Sequence, residues 1–298
     1  MVSTPSGSGS IRTAVIPAAG QGSRMLPATK AVPKELLPLG EMPAIQLVVD
    51  EAIGAGVDHV VVVTSADKPA VESYFTRTRW VEEALDRQGR SHVADVLRAY
   101  GDSIRVSFVV QDQPRGLGHA IGCAAPVVGD QPFFVLLPDE LMADSSLLVD
   151  LDRVLQASQR SAIALKRVPH HEVSRYGVIT PADGEVSVGG VPSIPFRHVV
   201  EKPAVDDAPS DLVIIGRYAL TPDVFGRLAR LGPGSTGEIQ LTDALVDHDG
   251  GHASYGVVST IGRRDIGHPL GWLQAVVETG LRHPEHGDEF RRWLDERQ

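Results

Sequence analysis

Apolar residues along this chain come in two textures. In the first half, short unbroken runs rich in β-branched or aromatic residues recur at 14–16, 60–64, 106–110 and 133–137. Runs of that length without polar alternation predict strands buried on both faces. Between them, residues 45–55, 81–100 and 119–125 carry apolar positions at helical spacing. The alternation predicts βαβ units, hence an α/β fold with a doubly wound, largely parallel sheet. A ligand of such a sheet belongs at the carboxyl ends of its strands.

The texture changes near residue 162. Shorter strands are predicted at 162–168, 177–180, 198–201 and 213–219, separated by Gly/Pro-rich loops. These read as mixed-sheet extensions forming the second wall of a cleft. Residues 232–237 read as a loop, 238–246 as a helix, and 270–294 as helical with a break near Pro284. Residues 1–10 are Ser/Gly/Pro-rich and read as a disordered tail. The expected organisation is therefore that tail and one domain, 11–298, in three stretches: 11–160, 161–265 and 266–298.

Composition narrows the function. A chain of 298 residues can bury a substantial core, and its net charge of −10 argues against nucleic acid as a partner. It does not argue against a nucleotide, whose phosphates meet only local cations. One cysteine, Cys123, leaves no intramolecular disulfide and no multi-cysteine metal site. No apolar run approaches the ~18 residues of a membrane span, so no membrane partner and a cytoplasmic location are expected.

The densest chemistry lies at residues 14–39. An apolar strand runs into a turn with Gly20 and Gly22, and the cations Arg24, Lys30 and Lys34 follow. A glycine turn at a strand's carboxyl end exposes backbone N–H groups to a phosphate, and the cations neutralise its oxygens. The chain holds five lysines against twenty-three arginines, and Lys30, Lys34 and Lys202 fall in the motifs named here. These positions favour a compact ammonium over a planar fork. No Gly-x4-Gly-Lys-Ser/Thr run occurs, and Met25 stands where a dinucleotide fingerprint needs its third glycine.

Other segments supply the remaining parts. Asp139 follows the run 133–137, where a carboxylate suits Mg²⁺, and Asp265 is a second acidic candidate. Glu201-Lys202 sets an anion beside a cation, a pair able to grip a sugar phosphate. Gln111 offers an amide to the edge of a base, and Gly116 lets a base lie flat on the backbone. His119, at a helix start, reads as structural.

Taken together these segments resemble the bacterial UTP–glucose-1-phosphate uridylyltransferases (UDP-glucose pyrophosphorylases), within the sugar-phosphate nucleotidylyltransferase family. The resemblance covers residues 12–294. It is carried by the opening block 14–20, by 25–35, Gly116-Leu-Gly-His-Ala120, Leu137-Pro-Asp139, Val200-Glu-Lys-Pro203, Ile215-Gly-Arg-Tyr218, the block 237–244 and the block 270–275. It implies a Rossmann-like mixed sheet of the nucleotide-diphospho-sugar transferase type, with a nucleotide-binding half (11–160), a sugar-phosphate half (161–265) and C-terminal helices. It also implies UMP transfer from UTP to glucose 1-phosphate.

The resemblance assigns roles residue by residue. Ala19, Gly20, Gly22, Gln111 and Gly116 would hold the nucleotide. Arg24, Lys34 and Lys202 would be the catalytic cations, and Asp139 with Asp265 would hold Mg²⁺. Gly177, Glu201, Lys202 and Gly216 would receive glucose 1-phosphate. A homodimer or homotetramer is expected, with the C-terminal helices and their Trp272 and Trp293 as interface elements. The chain departs from the family pattern at Ser23, Met42, Leu47, Arg264 and Pro269. A dTTP-using relative, another hexose 1-phosphate and a non-catalytic regulatory homologue stay open as alternatives.

Overall fold

The computed structural model describes residues 11–182, 184–234, 237–245 and 254–297. The tail expected over 1–10, part of the loop 232–237 and Val246 lie outside the described residues. The first half contributes β1 (Thr13–Pro17), β2 (Pro38–Leu39), β3 (Met42–Pro43), β4 (His59–Thr64), β5 (Arg105–Val110), β6 (Phe133–Leu136) and β7 (Glu140–Met142). The second contributes β8 (Ala162–Arg167), β9 (Gly177–Pro181), β10 (Val186–Val188), β11 (Val191–Glu201), β12 (Leu212–Leu220), β13 (Ser254–Val258) and β14 (Arg263–Asp265).

The main sheet runs β10-β11-β13-β8-β12-β6-β1-β4-β5, with β9 paired to β11 and β12. β6, β1, β4 and β5 are mutually parallel. β12 joins antiparallel to β6 and to β8, and most pairs beyond it are antiparallel. The parallel arrangement is thus a property of the first half, and the whole sheet is mixed. β4 and β6 are buried throughout because alternate residues feed two layers. Val60 and Val62 pack with Ile45 and Val48, while Val61 and Val63 pack with Ile121 on the opposite face. Each fully buried valine of this kind contributes roughly 1.5–3 kcal/mol.

β5 departs from the expectation for 106–110: it is the edge strand, half-exposed, with Val110 at 47%. The helical stretch 81–100 is two helices, Arg79–Arg87 and Ser91–Ser103, because Gly89 between them takes φ +72°. The helix expected over 238–246 is confined to Leu241–Ala244. At the C-terminus, helices Pro269–Leu281 and Gly287–Asp295 part at Pro284 as the sequence indicates. Trp272 is partly buried and packs beside Leu39, Ala44 and Ile266, whereas Trp293 is 46% exposed. Among the described residues no helix is long and apolar enough to cross a membrane.

The chain runs from β1 to β4 and β5 on one side, then returns to place β6 on β1's other side. The reversal leaves a crevice at the carboxyl ends of β1 and β6, where the loops 18–22 and 137–139 emerge.

Candidate active site

The loop after β1 is held from beneath. Ala18 N donates to Val63 O at 2.7 Å, and Lys68 Nζ donates to the carbonyls of Ala18 and Gly20. Lys68 also pairs with Glu35, 3.0 Å away and almost fully buried. Burial pushes the Glu35 carboxyl up, against the pull of Lys68 and Lys34. Gly22 takes φ +65°, a conformation that strains other residues, and its carbonyl accepts from Thr29 Oγ1 at 2.8 Å. A side chain at Gly20 would point into open space, the room a close-lying ligand requires.

A cleft of about 530 Å³ opens above this loop. Its walls bring together Ala19, Gly20, Lys34, Gln111, Gly116 and Asp139, all singled out from the sequence, and add Glu238. Gly116 must be glycine: it takes φ +100°, and a Cβ there would lie 2.7 Å from Ile239 O. Ile239 N donates to Arg115 O and Gly118 N to Ile239 O, so the segment around 238–240 is tied to the cleft's rim.

Lys34 Nζ lies 2.6 Å from Asp139 Oδ2. Burial lowers the Lys34 ammonium, but the Asp139 and Glu35 carboxylates outweigh it and hold it above its ordinary value of 10.5. Burial likewise raises Asp139, yet Lys34 and Arg24 hold it below its ordinary 3.8. Arg24 is exposed and stands off the cleft walls, so its reach to the pair is electrostatic.

The pair's contribution to stability has a definite pH window. Asp139's share is present above pH 3.8 and disappears as pH falls through its depressed value. Lys34's share is present below pH 10.5 and disappears as pH rises through its raised value. Urea unfolding of wild type and Lys34→Met should therefore differ by a constant amount between about pH 5 and 9. The difference should shrink in acid below about pH 4, and a step near neutrality would contradict the pairing.

Two carboxylates converge beside Gly267. A Cβ there would lie 3.0 Å from Asp139 Oδ2 and 3.1 Å from Asp265 Oδ1. Pairing of β7 with β14 sets Glu140 opposite Asp265, and Ile266 N donates to Asp139 O at 2.8 Å. These hard oxygen donors, brought from segments far apart in sequence, suit a Mg²⁺ that takes its other ligands from phosphate and water. Among the described residues no group of three or more His, Cys, Asp or Glu could hold an ion alone.

A second cleft, about 160 Å³, adjoins the first and shares Leu117 and Leu137 with it. Gly177 and Glu201 line it, and the absence of a side chain at Gly177 leaves room for Glu201 Oε2, 3.1 Å from a would-be Cβ. Lys202 takes φ +47°, one of two non-glycine residues in that region among the described residues, with its N–H donating to Tyr176 O. Its side chain is 65% exposed, 3.7 Å from Glu201, and not part of the cleft wall. Gly216 does not line either cleft; it lies beneath Leu137, whose Cβ would be 2.7 Å from a methyl there.

Sequence reasoning missed several residues. Arg175, Tyr176, Tyr218 and Thr242 line the second cleft. Thr242 Oγ1 is buried without a hydrogen-bond partner among the described residues, and its hydroxyl can donate to or accept from a ligand hydroxyl. Burial, reinforced by Glu140 and Glu201, pushes the Tyr218 phenol far up, so it keeps its proton at neutral pH. Thr242 and Tyr218 sit within the blocks 237–244 and 215–218, the signal that could have found them.

The nucleotidyl transferase family model matches residues 13–279. The UTP–glucose-1-phosphate uridylyltransferase of Escherichia coli (strain K12) is 40% identical over 296 residues, 96% of each chain. That of Streptococcus pneumoniae serotype 4 is 40% identical over 289 residues, 95% of each chain. The solved UTP-bound UGPase of Acinetobacter baumannii superposes with a TM-score of 0.87 at 37% identity, over 97% of this chain and all of that one.

Proposed function

We propose a reaction from the premise these matches establish: the chain belongs to the nucleotidyl transferase family, among the UTP–glucose-1-phosphate uridylyltransferases. It transfers UMP from UTP to glucose 1-phosphate, giving UDP-glucose and pyrophosphate. The observation that carries this reading is the adjoining pair of clefts, with the glycine loop, Lys34 and Asp139 in one and Glu201, Tyr218 and Thr242 in the other.

A phosphate oxygen of glucose 1-phosphate attacks the α-phosphorus of UTP in line, and the bond to the bridging oxygen of pyrophosphate breaks. No covalent enzyme intermediate is required, so alignment and charge neutralisation carry the catalysis. Backbone N–H groups around Ala19 and Gly20 and the edge of Gln111 hold the uridine, with Gly22 shaping the turn. Lys34, kept cationic by Asp139, faces the phosphates, and Arg24 adds its field to the same spot. Glu201 takes glucose hydroxyls with Thr242, while Lys202 supplies charge to the sugar phosphate. Asp139 and Asp265 would hold a Mg²⁺ that, when bound, acts as Lewis acid and template for the phosphates. A cytoplasmic location, where nucleoside triphosphates are made, and a homodimer or homotetramer built on the exposed Leu270, Leu273 and Trp293 complete the proposal.

The test is pyrophosphate release with Mg²⁺ and glucose 1-phosphate, running UTP, dTTP, ATP, CTP and GTP separately. Fast release confined to UTP is expected. Preference for dTTP would reassign the nucleotide, and silence with every nucleotide would remove the catalytic reading.

A further inference from the structure

Lys68 supports the glycine loop from outside the cleft, and the direction of its pull sets which groups the loop presents. It stands just before the helix Pro69–Phe75 with its own backbone fixed. Its N–H donates to Ser65 O at 3.0 Å, and its carbonyl accepts from Val71 N at 3.1 Å. A lysine ammonium has three hydrogens to give. One goes to Ala18 O at 2.8 Å, one to Gly20 O, and one to the buried Glu35 carboxylate at 3.0 Å.

In a trans peptide the C=O and N–H point in opposite directions. Carbonyls drawn onto Lys68 therefore turn the N–H groups of Ala19 and Gln21 away from it. Ala19 and Gln21 line the first cleft, and Lys68 does not. Among the described residues neither N–H finds a hydrogen-bond acceptor, although Ala19 is buried. A buried backbone donor is nearly always paired, so such a donor at a cleft wall suits an acceptor on a ligand. Gly20 would not keep this orientation alone. Without a Cβ, it lets the peptide that follows turn over and present oxygen instead.

We propose that Lys68, braced by Glu35, is a positioning residue for nucleotide binding, fixing both peptides so that Ala19 and Gln21 present their N–H groups to UTP. The inference rests on the glycine loop receiving UTP. Lys68 acts only through the loop, and its charge polarises both peptides, strengthening their N–H groups as donors.

The experiment measures UTP affinity by isothermal titration calorimetry, KM for UTP and for glucose 1-phosphate, and urea unfolding. The proteins are wild type, Lys68→Met, Glu35→Gln and Lys68→Met/Glu35→Gln. Lys68→Met should weaken UTP binding by roughly tenfold and raise KM for UTP, with KM for glucose 1-phosphate unchanged. It should also be less stable, because Glu35 loses the cation that offsets its burial. The double variant carries no unpaired charge there, so stability should recover while UTP binding stays weak. If Lys68→Met yields no folded protein, the double variant carries the same expectation for UTP. Glu35→Gln, whose amide oxygen still accepts from Lys68, should bind UTP more tightly than either variant lacking the lysine. An equal loss in Glu35→Gln and the double variant would assign the effect to Glu35 and overturn the inference. Recovery of UTP binding together with stability in the double variant would show that Lys68 serves the fold alone. An equal rise in KM for both substrates, or unchanged UTP affinity in a folded Lys68→Met, would overturn the inference as well. Failure of wild type to bind UTP would instead remove the reading of the cleft, and the inference with it.

Discussion

Replacing Asp139 by asparagine is expected to lower kcat/KM for UTP by roughly 10²–10³-fold, by analogy with loss of a single preorganised charge-stabilising group at a reacting centre. The substitution keeps the shape of the side chain, and its oxygen can still accept from Lys34. It removes the negative charge that does two things at once. That charge is one of two carboxylates converging beside Gly267, and it holds the Lys34 ammonium above its ordinary value. Without it, burial is the largest remaining influence on Lys34 and acts to lower it. The fold should survive, because the pair is part-exposed at the cleft rather than inside the core. Pyrophosphate release across a Mg²⁺ titration gives the kinetic answer, and Mn²⁺ binding followed by electron paramagnetic resonance gives one independent of turnover. Near-normal turnover and unchanged Mn²⁺ affinity in Asp139→Asn would remove Asp139 from the metal site.

The second large effect is expected at Arg217, and on stability rather than turnover. It is fully buried and forms a two-pronged pair with Glu51, through Nε at 2.8 Å and Nη2 at 2.6 Å. Its remaining hydrogens go to the carbonyls of Leu137, Gly216 and Glu140. The guanidinium thus ties β12 to the helix Ala44–Gly54 and clamps the turn on both sides of Asp139. Arg217→Met should cost about 3–5 kcal/mol, because it leaves a buried carboxylate and three carbonyls without donors. At roughly 2–4 °C per kcal/mol for a large domain, Tm should fall by about 10 °C. The double variant Glu51→Leu/Arg217→Met should lose less than the sum of the two single changes, since it leaves no unpaired charge. A loss under about 1 kcal/mol in Arg217→Met would show that the clamp carries little of the fold's stability.

Lys68 shows a third kind of role, and one composition did not flag. Of the five lysines, the motifs drew in Lys30, Lys34 and Lys202, whereas the structure gives Lys68 the most buried ammonium work among these. Its partners Ala18, Gly20 and Glu35 lie 50, 48 and 33 residues away, so no local pattern discloses them. Lys202 differs from Lys68: its motif was legible, and its side chain is largely exposed beside Glu201, which lines the second cleft.

The sequence by itself determined the first-half strands and the glycine turn, because those signals are local. β-branched runs favour extended chain, and glycine alone relaxes into φ near +65° at Gly22 or +100° at Gly116. It also marked Lys34, Asp139, Gln111 and Glu201, since strand ends in an α/β sheet are where ligands are met. Tertiary structure alone decided that β12 enters antiparallel against β6, that β5 is an edge, and that Trp272 packs beside Leu39. It decided too that Asp139 and Asp265 converge beside Gly267, that Gly216 lies under Leu137, and that an arginine is buried whole. Those outcomes depend on contacts between segments far apart in sequence, such as Arg217 with Leu137, 80 residues away, or with Glu51, 166 residues away. Partners at such separations are chosen by which faces the folded layers bring together, not by any pattern a neighbouring stretch of chain can carry.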